Sequence, residues 1–188
     1  MKRRIFIAVN LPEAVRKKLS QYQNKWPELP VRWTKPYNLH ITLEFLGYLS
    51  DEDLPELLET IKEMALRHRP FSINLKKICY GPPKKMPPRM IWVQGEKSDQ
   101  LGRLKQDLEK CLANSAIRFS PEKRPYSPHI TLGRIRTLEW RRIEPEERPA
   151  LEEEISLSFE VNSIEVMESR LRRGGAEYTI LKSFDLQK

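Results

Sequence analysis

The chain has 188 residues, 39% hydrophobic and 32% charged: enough for one substantial domain or two small lobes sharing a core, and too apolar for wholesale disorder. Its formal net charge of +8 favours a polyanionic partner, because clustered Lys and Arg attract phosphate and release its counterions. The apolar run at residues 5–9 is too short for a signal-peptide core or a membrane span, so a cytoplasmic protein with no membrane contact is expected.

Residues 5–9 are compact and β-prone, and Pro12 stands where a helix begins, so the chain opens strand then helix. Ala14, Val15, Leu19 and Tyr22 recur at helical spacing over residues 13–26. A short strand is expected at 31–33 and a stronger one at 39–46, ended by Gly47. A second helix starts near Ser50, Asp51 and Glu52, continues through Leu54, Leu57, Leu58, Ile61, Met64 and Ala65, and closes before Pro70. Residues 71–75 alternate with a period of two and form a strand. The prolines at 82, 83, 87 and 88 lack ladder donors, which makes 81–88 a loop or a crossover between lobes.

A strand at 90–93 and a helix at 100–113, with Leu101, Leu104, Leu108 and Leu112 on one face, repeat the opening order. Residues 128–135 form another strand, 155–159 and 164–167 a hairpin, and 178–184 the last strand. The charged stretch 136–154 is a loop with room for one helical turn. Cys79 and Cys111 are isolated, with neither metal-ligand nor disulfide-framework spacing, which suits a reducing compartment.

The most informative feature is an internal repeat: residues 36–43 recur as 125–132 with six of eight positions identical. Duplication explains this better than chance. The offset is nearly half the chain, and each copy follows a strand and a helix, so two pseudo-equivalent lobes are expected. A pseudo-twofold axis would set the repeated strands side by side in a central groove. On a strand, side chains two apart share a face. His40 therefore faces with Thr42, and His129 with Thr131, while Ile41, Leu43, Ile130 and Leu132 turn into the core. The chain has only three histidines, and the unrepeated one, His68, flanked by Arg67 and Arg69, reads as solvated surface.

Two histidines flanking a phosphodiester can divide acid and base roles near neutral pH. The neutral imidazole takes a proton from attacking water and the imidazolium protonates the departing oxygen, while Thr42 and Thr131 bind non-bridging oxygens. Arg134 would clamp the phosphate if Gly133 bends the strand; strict alternation aims it at the other face. No Asp, Glu or Cys ligands cluster around either histidine, so no metal or other cofactor is expected. Tyr37 is expected to pack at the entry to its motif, whereas Tyr126 stands as a base-stacking or a packing residue.

These residues resemble the 2H phosphoesterase superfamily, specifically the RNA 2′,3′-cyclic phosphodiesterases also called 2′-5′ RNA ligases. The likeness takes in residues 4–9, 38–47, 88–92, 124–134 and 168–171. The resemblance implies one domain over residues 1–188, of α+β class: a bilobal pseudo-twofold fold with two antiparallel sheets lining a central cleft and helices outside. It implies hydrolysis of 2′,3′-cyclic phosphate RNA ends to 2′-phosphomonoesters without metal, with reversible 2′-5′ ligation as a weaker activity. It also gives His40 as the acid to O3′ and His129 as the base for water. The expected partner is RNA with a cyclic phosphate end, and the expected state a monomer. A non-catalytic single-stranded RNA-binding module would share the basic charge, strands and aromatics but leaves the duplication unexplained; a small cyclic nucleotide is the alternative substrate.

Overall fold

The computed structural model describes residues 1–83, 85–121, 125–173 and 175–187; Arg124, at the start of the second motif, lies outside them. The chain opens with β1 (Lys2–Asn10) and α1 (Glu13–Tyr22), with Pro12 at the helix boundary. The first helix is shorter than its apolar spacing predicts, because residues 23–25 tighten into a 3-10 turn. Next come β2 (Val31–Trp33), β3 (His40–Ser50), α2 (Leu54–Ala65) and β4 (Phe71–Gly81). They are followed by β5 (Met90–Gly95), α3 (Asp99–Ala113), β6 (His129–Ile135) and α4 (Thr137–Trp140), the single helical turn allowed for in the charged segment. β7 (Glu152–Val161), β8 (Ser163–Arg172) and β9 (Gly175–Asp185) complete the chain.

The class is α+β. Where two separate sheets were expected, the ladder is continuous in the order β7-β4-β5-β6-β3-β1-β8-β9, with β2 paired to β6. The two halves meet at one residue pair, Ile41 opposite Ile130 in antiparallel β3 and β6, so the duplicated strands are neighbours at the centre. Apolar side chains of α1, α2 and α3, including Leu19, Ile61 and Leu108, bury against one face with Ile5, Ile7, Ile41 and Ile130. On the other face, Phe6, Ala8 and Met167 form a small cluster with Tyr178 against it.

Two expectations fail for identifiable reasons. Gly47 does not end its strand: it holds φ 74, and β3 passes through a β-bulge there, with Ile5 opposite Gly47 and Phe6 opposite Phe45. Of the two readings of residues 81–88, loop or crossover between lobes, the first holds, because β4 ends at Gly81 and pairs with its antiparallel neighbour β5. The hairpin of residues 155–159 with 164–167 does not form, since β7 pairs with β4 while β8 pairs with β1 and β9. Both strands extend until only Asn162 separates them, which is shorter than a tight hairpin turn. The chain instead crosses there from one half of the sheet to the other. β4 makes the matching crossing, following β3 in sequence and pairing with β5, so the halves exchange strands.

Candidate active site

β3 and β6 share one burial pattern over seven residues: half-buried histidine, buried Ile, half-buried Thr, two buried residues, one exposed, one buried. Antiparallel register about Ile41 and Ile130 sets His40 across from Thr131 and Thr42 across from His129. With both isoleucines in the core, the four polar side chains occupy the opposite face of the sheet.

Each imidazole is fixed in the same way. His40 Nδ1 lies 2.7 Å from the Asn38 carbonyl oxygen, and His129 Nδ1 lies 2.8 Å from that of Ser127. A carbonyl only accepts, so Nδ1 carries the hydrogen and Nε2 keeps its lone pair in the neutral ring. His40 Nε2 accepts from the Thr42 hydroxyl at 3.0 Å. Aromatic rings that the motifs alone do not reveal confine both imidazoles: Phe6 and Tyr178 at 5.0 and 5.1 Å from His40, and Trp92 stacked at 3.7 Å on His129. Phe6 and Trp92 stand on the strands next to β3 and β6, and Tyr178 reaches His40 from β9, so the meaning of these aromatics depends on knowing the strand order.

Burial lowers the His40 pKa to about 4 against the opposing bond to Asn38, with His129 nearby adding to the fall. Burial lowers His129 too, helped by the positive charge of Arg134. Both rings are therefore neutral in the free protein near neutral pH.

That influence of Arg134 on His129 follows from a bulge. Opposite β5 the register slips between Ile91 and Trp92, leaving Leu132 unpaired in β6. Ile130, Leu132 and Ile135 all reach the core, so after the slip Arg134 falls on the face of His129 and Thr131. Thr131 Oγ1 and Arg134 Nη1 both approach Met90 Sδ, at 4.0 and 3.7 Å. β3 carries the same irregularity against β1, with Leu43 unpaired between Thr42 and Glu44.

The two bulges are covered differently. In the second half, Gly133 leaves room for β2: a Cβ there would lie 2.4 Å from Val31 Cγ1 and 2.9 Å from Trp33 Cε3. In the first half the matching residue is Glu44, 4% exposed, which accepts from the Phe45 amide at 3.2 Å and pairs with buried Lys105 of α3. Lys105 also reaches Glu109 at 2.8 Å.

The paired tyrosines diverge as well. Tyr126 is half-buried, its ring beneath Lys105 and its hydroxyl donating to the Thr42 carbonyl at 3.0 Å, so it ties the second motif to the first. Burial pushes its phenol above the ordinary range. Tyr37 is 55% exposed beside Lys35 instead of packed. His68 is also not solvated surface: it is half-buried, with Nε2 3.0 Å from Asp107 Oδ2. Among the described residues, no group of three or more His, Cys, Asp or Glu is arranged to hold a metal ion, and no helix is long and apolar enough to cross a membrane.

The family model described as LigT like Phosphoesterase matches the chain twice, over residues 9–92 and 93–178, one match for each copy of the repeat. The chain belongs to the LigT-like phosphoesterases. It is 31% identical to a Thermus thermophilus protein named RNA 2′,3′-cyclic phosphodiesterase, across 98% of this chain and 90% of that one. A Methanothermobacter thermautotrophicus protein of the same name is 30% identical across 99% and 100%. Among solved structures, E. coli LigT complexed with 3′-AMP superposes with a TM-score of 0.77 at 27% identity over the whole of both chains. A Thermus thermophilus crystal structure gives 0.82 at 30% identity over 98% of each chain. As a LigT-like phosphoesterase the chain is a hydrolase of the 2H superfamily.

Proposed function

We propose that this phosphoesterase hydrolyses 2′,3′-cyclic phosphate ends of RNA to 2′-phosphomonoesters, using His129 as base and His40 as acid. The observation that carries this reading is the pseudo-twofold pair of imidazoles. Both are anchored through Nδ1, both have Nε2 as the remaining ring nitrogen, and they lie on one face of adjacent strands. His129 Nε2 takes a proton from water as its oxygen attacks phosphorus, the P–O3′ bond breaks, and His40 Nε2–H protonates O3′; the P–O2′ bond survives. Thr42 and Thr131 donate to the non-bridging oxygens, Thr42 releasing its bond to His40 as substrate arrives, and Arg134 holds the phosphate charge.

A bound phosphodiester is an anion beside both rings and raises both pKa values. Arg134 opposes that rise at His129 and His129 opposes it at His40; the assignment of His129 as base and His40 as acid rests on the resemblance to the family. With a 5′-hydroxyl in place of water, the same steps form a 2′-5′ linkage, and that is the weaker activity. The relatives' names and the basic charge support RNA as substrate.

The test offers an oligonucleotide ending in a 2′,3′-cyclic phosphate, with chelator present, to the wild type and to His40→Ala and His129→Ala. The expected result is a 2′-phosphate product from the wild type and a loss of at least about a hundredfold in each variant. A wild type that binds the oligonucleotide without opening the ring is a binding module, and a variant with wild-type turnover removes that histidine from the mechanism.

A further inference from the structure

The two halves match through the chemistry and part company immediately beyond it. At the exposed position after the bulge, the first half carries Phe45, 57% exposed, where the second carries Arg134. β3 then continues to Tyr48, 70% exposed, whereas at the matching Thr137 the chain has left the sheet and entered α4. The bulge at Leu46 and Gly47 sets Tyr48 opposite Arg4 of β1, as Phe45 is opposite Phe6. No residue of β1 is skipped in that register, so Arg4 shares the face of Phe6 and Ala8, which is the face of His40.

Charge distinguishes Arg4 from its neighbours. Arg3, pointing the other way, is held by Asp51 at 2.7 Å and approaches Glu168 at 3.6 Å, and Arg170 is held by Glu168 at 3.1 Å. Among the described residues Arg4 has no carboxylate within ion-pair distance. With Lys2, Tyr48, Ser169 and Leu171, and beside Glu168 neutralised by Arg3 and Arg170, it lines an open depression of about 400 Å³, roomy enough for a nucleotide. Two ladder steps separate Phe45 from Tyr48, about 7 Å along the strand, which fits successive bases of an extended single strand. An exposed aromatic stripe beside an unpaired cation, continuous with a phosphodiesterase site, is the chemistry of single-stranded RNA binding.

We propose that RNA upstream of the reacting end runs along β3 away from His40, its penultimate base stacked on Tyr48 and a backbone phosphate on Arg4. This rests on the cyclic-phosphodiesterase reading and gives the substrate a polarity. The body of the RNA crosses the first half, and the second half is left to the terminal phosphate through Arg134.

The experiment measures KM and kcat for uridine 2′,3′-cyclic phosphate and for a dinucleotide and a tetranucleotide with the same end, in the wild type, Tyr48→Ala and Arg4→Gln. Tyr48→Ala is expected to raise KM for the longer substrates at least about fivefold, with kcat and the mononucleotide unchanged. Arg4→Gln should raise the same KM several-fold and flatten its salt dependence. Equal KM values in variant and wild type for the dinucleotide and the tetranucleotide, or a matching rise for the mononucleotide, overturn the path. If the wild type opens no cyclic end at all, the cyclic-phosphodiesterase reading fails separately. Fluorescence anisotropy of a tetranucleotide ending in a 2′-phosphate then decides the path: weakened binding in both variants upholds it and wild-type binding overturns it.

Discussion

Replacing His40 by Gln tests the environment on which the acid–base argument rests. In the folded protein the His40 pKa is lowered to about 4 by burial among Phe6 and Tyr178, while in the unfolded chain it returns to about 6.5. Between those values the unfolded state binds a proton that the folded state refuses, so stability falls as the pH drops through the window. A pKa lowered from 6.5 to about 4 corresponds to roughly 3 kcal/mol, fully lost once the pH is below about 4. Glutamine keeps a hydrogen-bonding side chain but does not titrate, and other groups titrate in both proteins. Urea unfolding from about pH 7.5 to about pH 4 should therefore show the wild type losing roughly 3 kcal/mol more than His40→Gln. Imidazole NMR titration reads the same pKa directly. Stability curves that fall in parallel, with His40 titrating near 6.5, would refute the claim that burial keeps this ring neutral.

Other measurements bear on the same site. The pH profile of kcat/KM, which reports the free enzyme, should be bell-shaped with both limbs below about 6.5, because both histidine pKa values are lowered. The kcat profile should lie at higher pH, because bound phosphate raises both. Lys105→Met leaves Glu44 buried and unpaired and should cost about 3–5 kcal/mol of unfolding free energy; the Glu44→Gln/Lys105→Met double variant should recover part of it. Gly133→Ala sets a Cβ 2.4 Å from Val31 Cγ1 and should destabilise by about 1–3 kcal/mol as β2 shifts. Hydrogen exchange at Trp33 and Thr34 locates that loss.

Most elements are legible in the residues because each owes its existence to local periodicity. The leucines of α3 and the alternation of the duplicated strands mark their own core faces, and both motifs bury the residues that alternation predicts. What fails locally is whatever a distant partner decides. Arg134 changes face because a single residue is unpaired against β5, and a one-residue slip inverts every following side chain. Tyr37 and Tyr126 each follow a proline and precede a polar residue, Asn38 or Ser127, yet one is exposed and the other lies under Lys105 with its hydroxyl on Thr42. The difference is set by Lys105 of α3 and the Thr42 carbonyl, both far from Tyr126 in the chain.

By itself the sequence determined the duplication, the pairing of each histidine with a threonine on one strand face, and the basic charge that suits an anionic substrate, because these depend on residue identity and a period of two. Tertiary structure decided which strands pair, where the chain crosses at Asn162, and how two similar halves came to expose different residues beyond the histidines. Those outcomes depend on bulges, strand order and burial between segments far apart in the chain, and no local pattern carries that information.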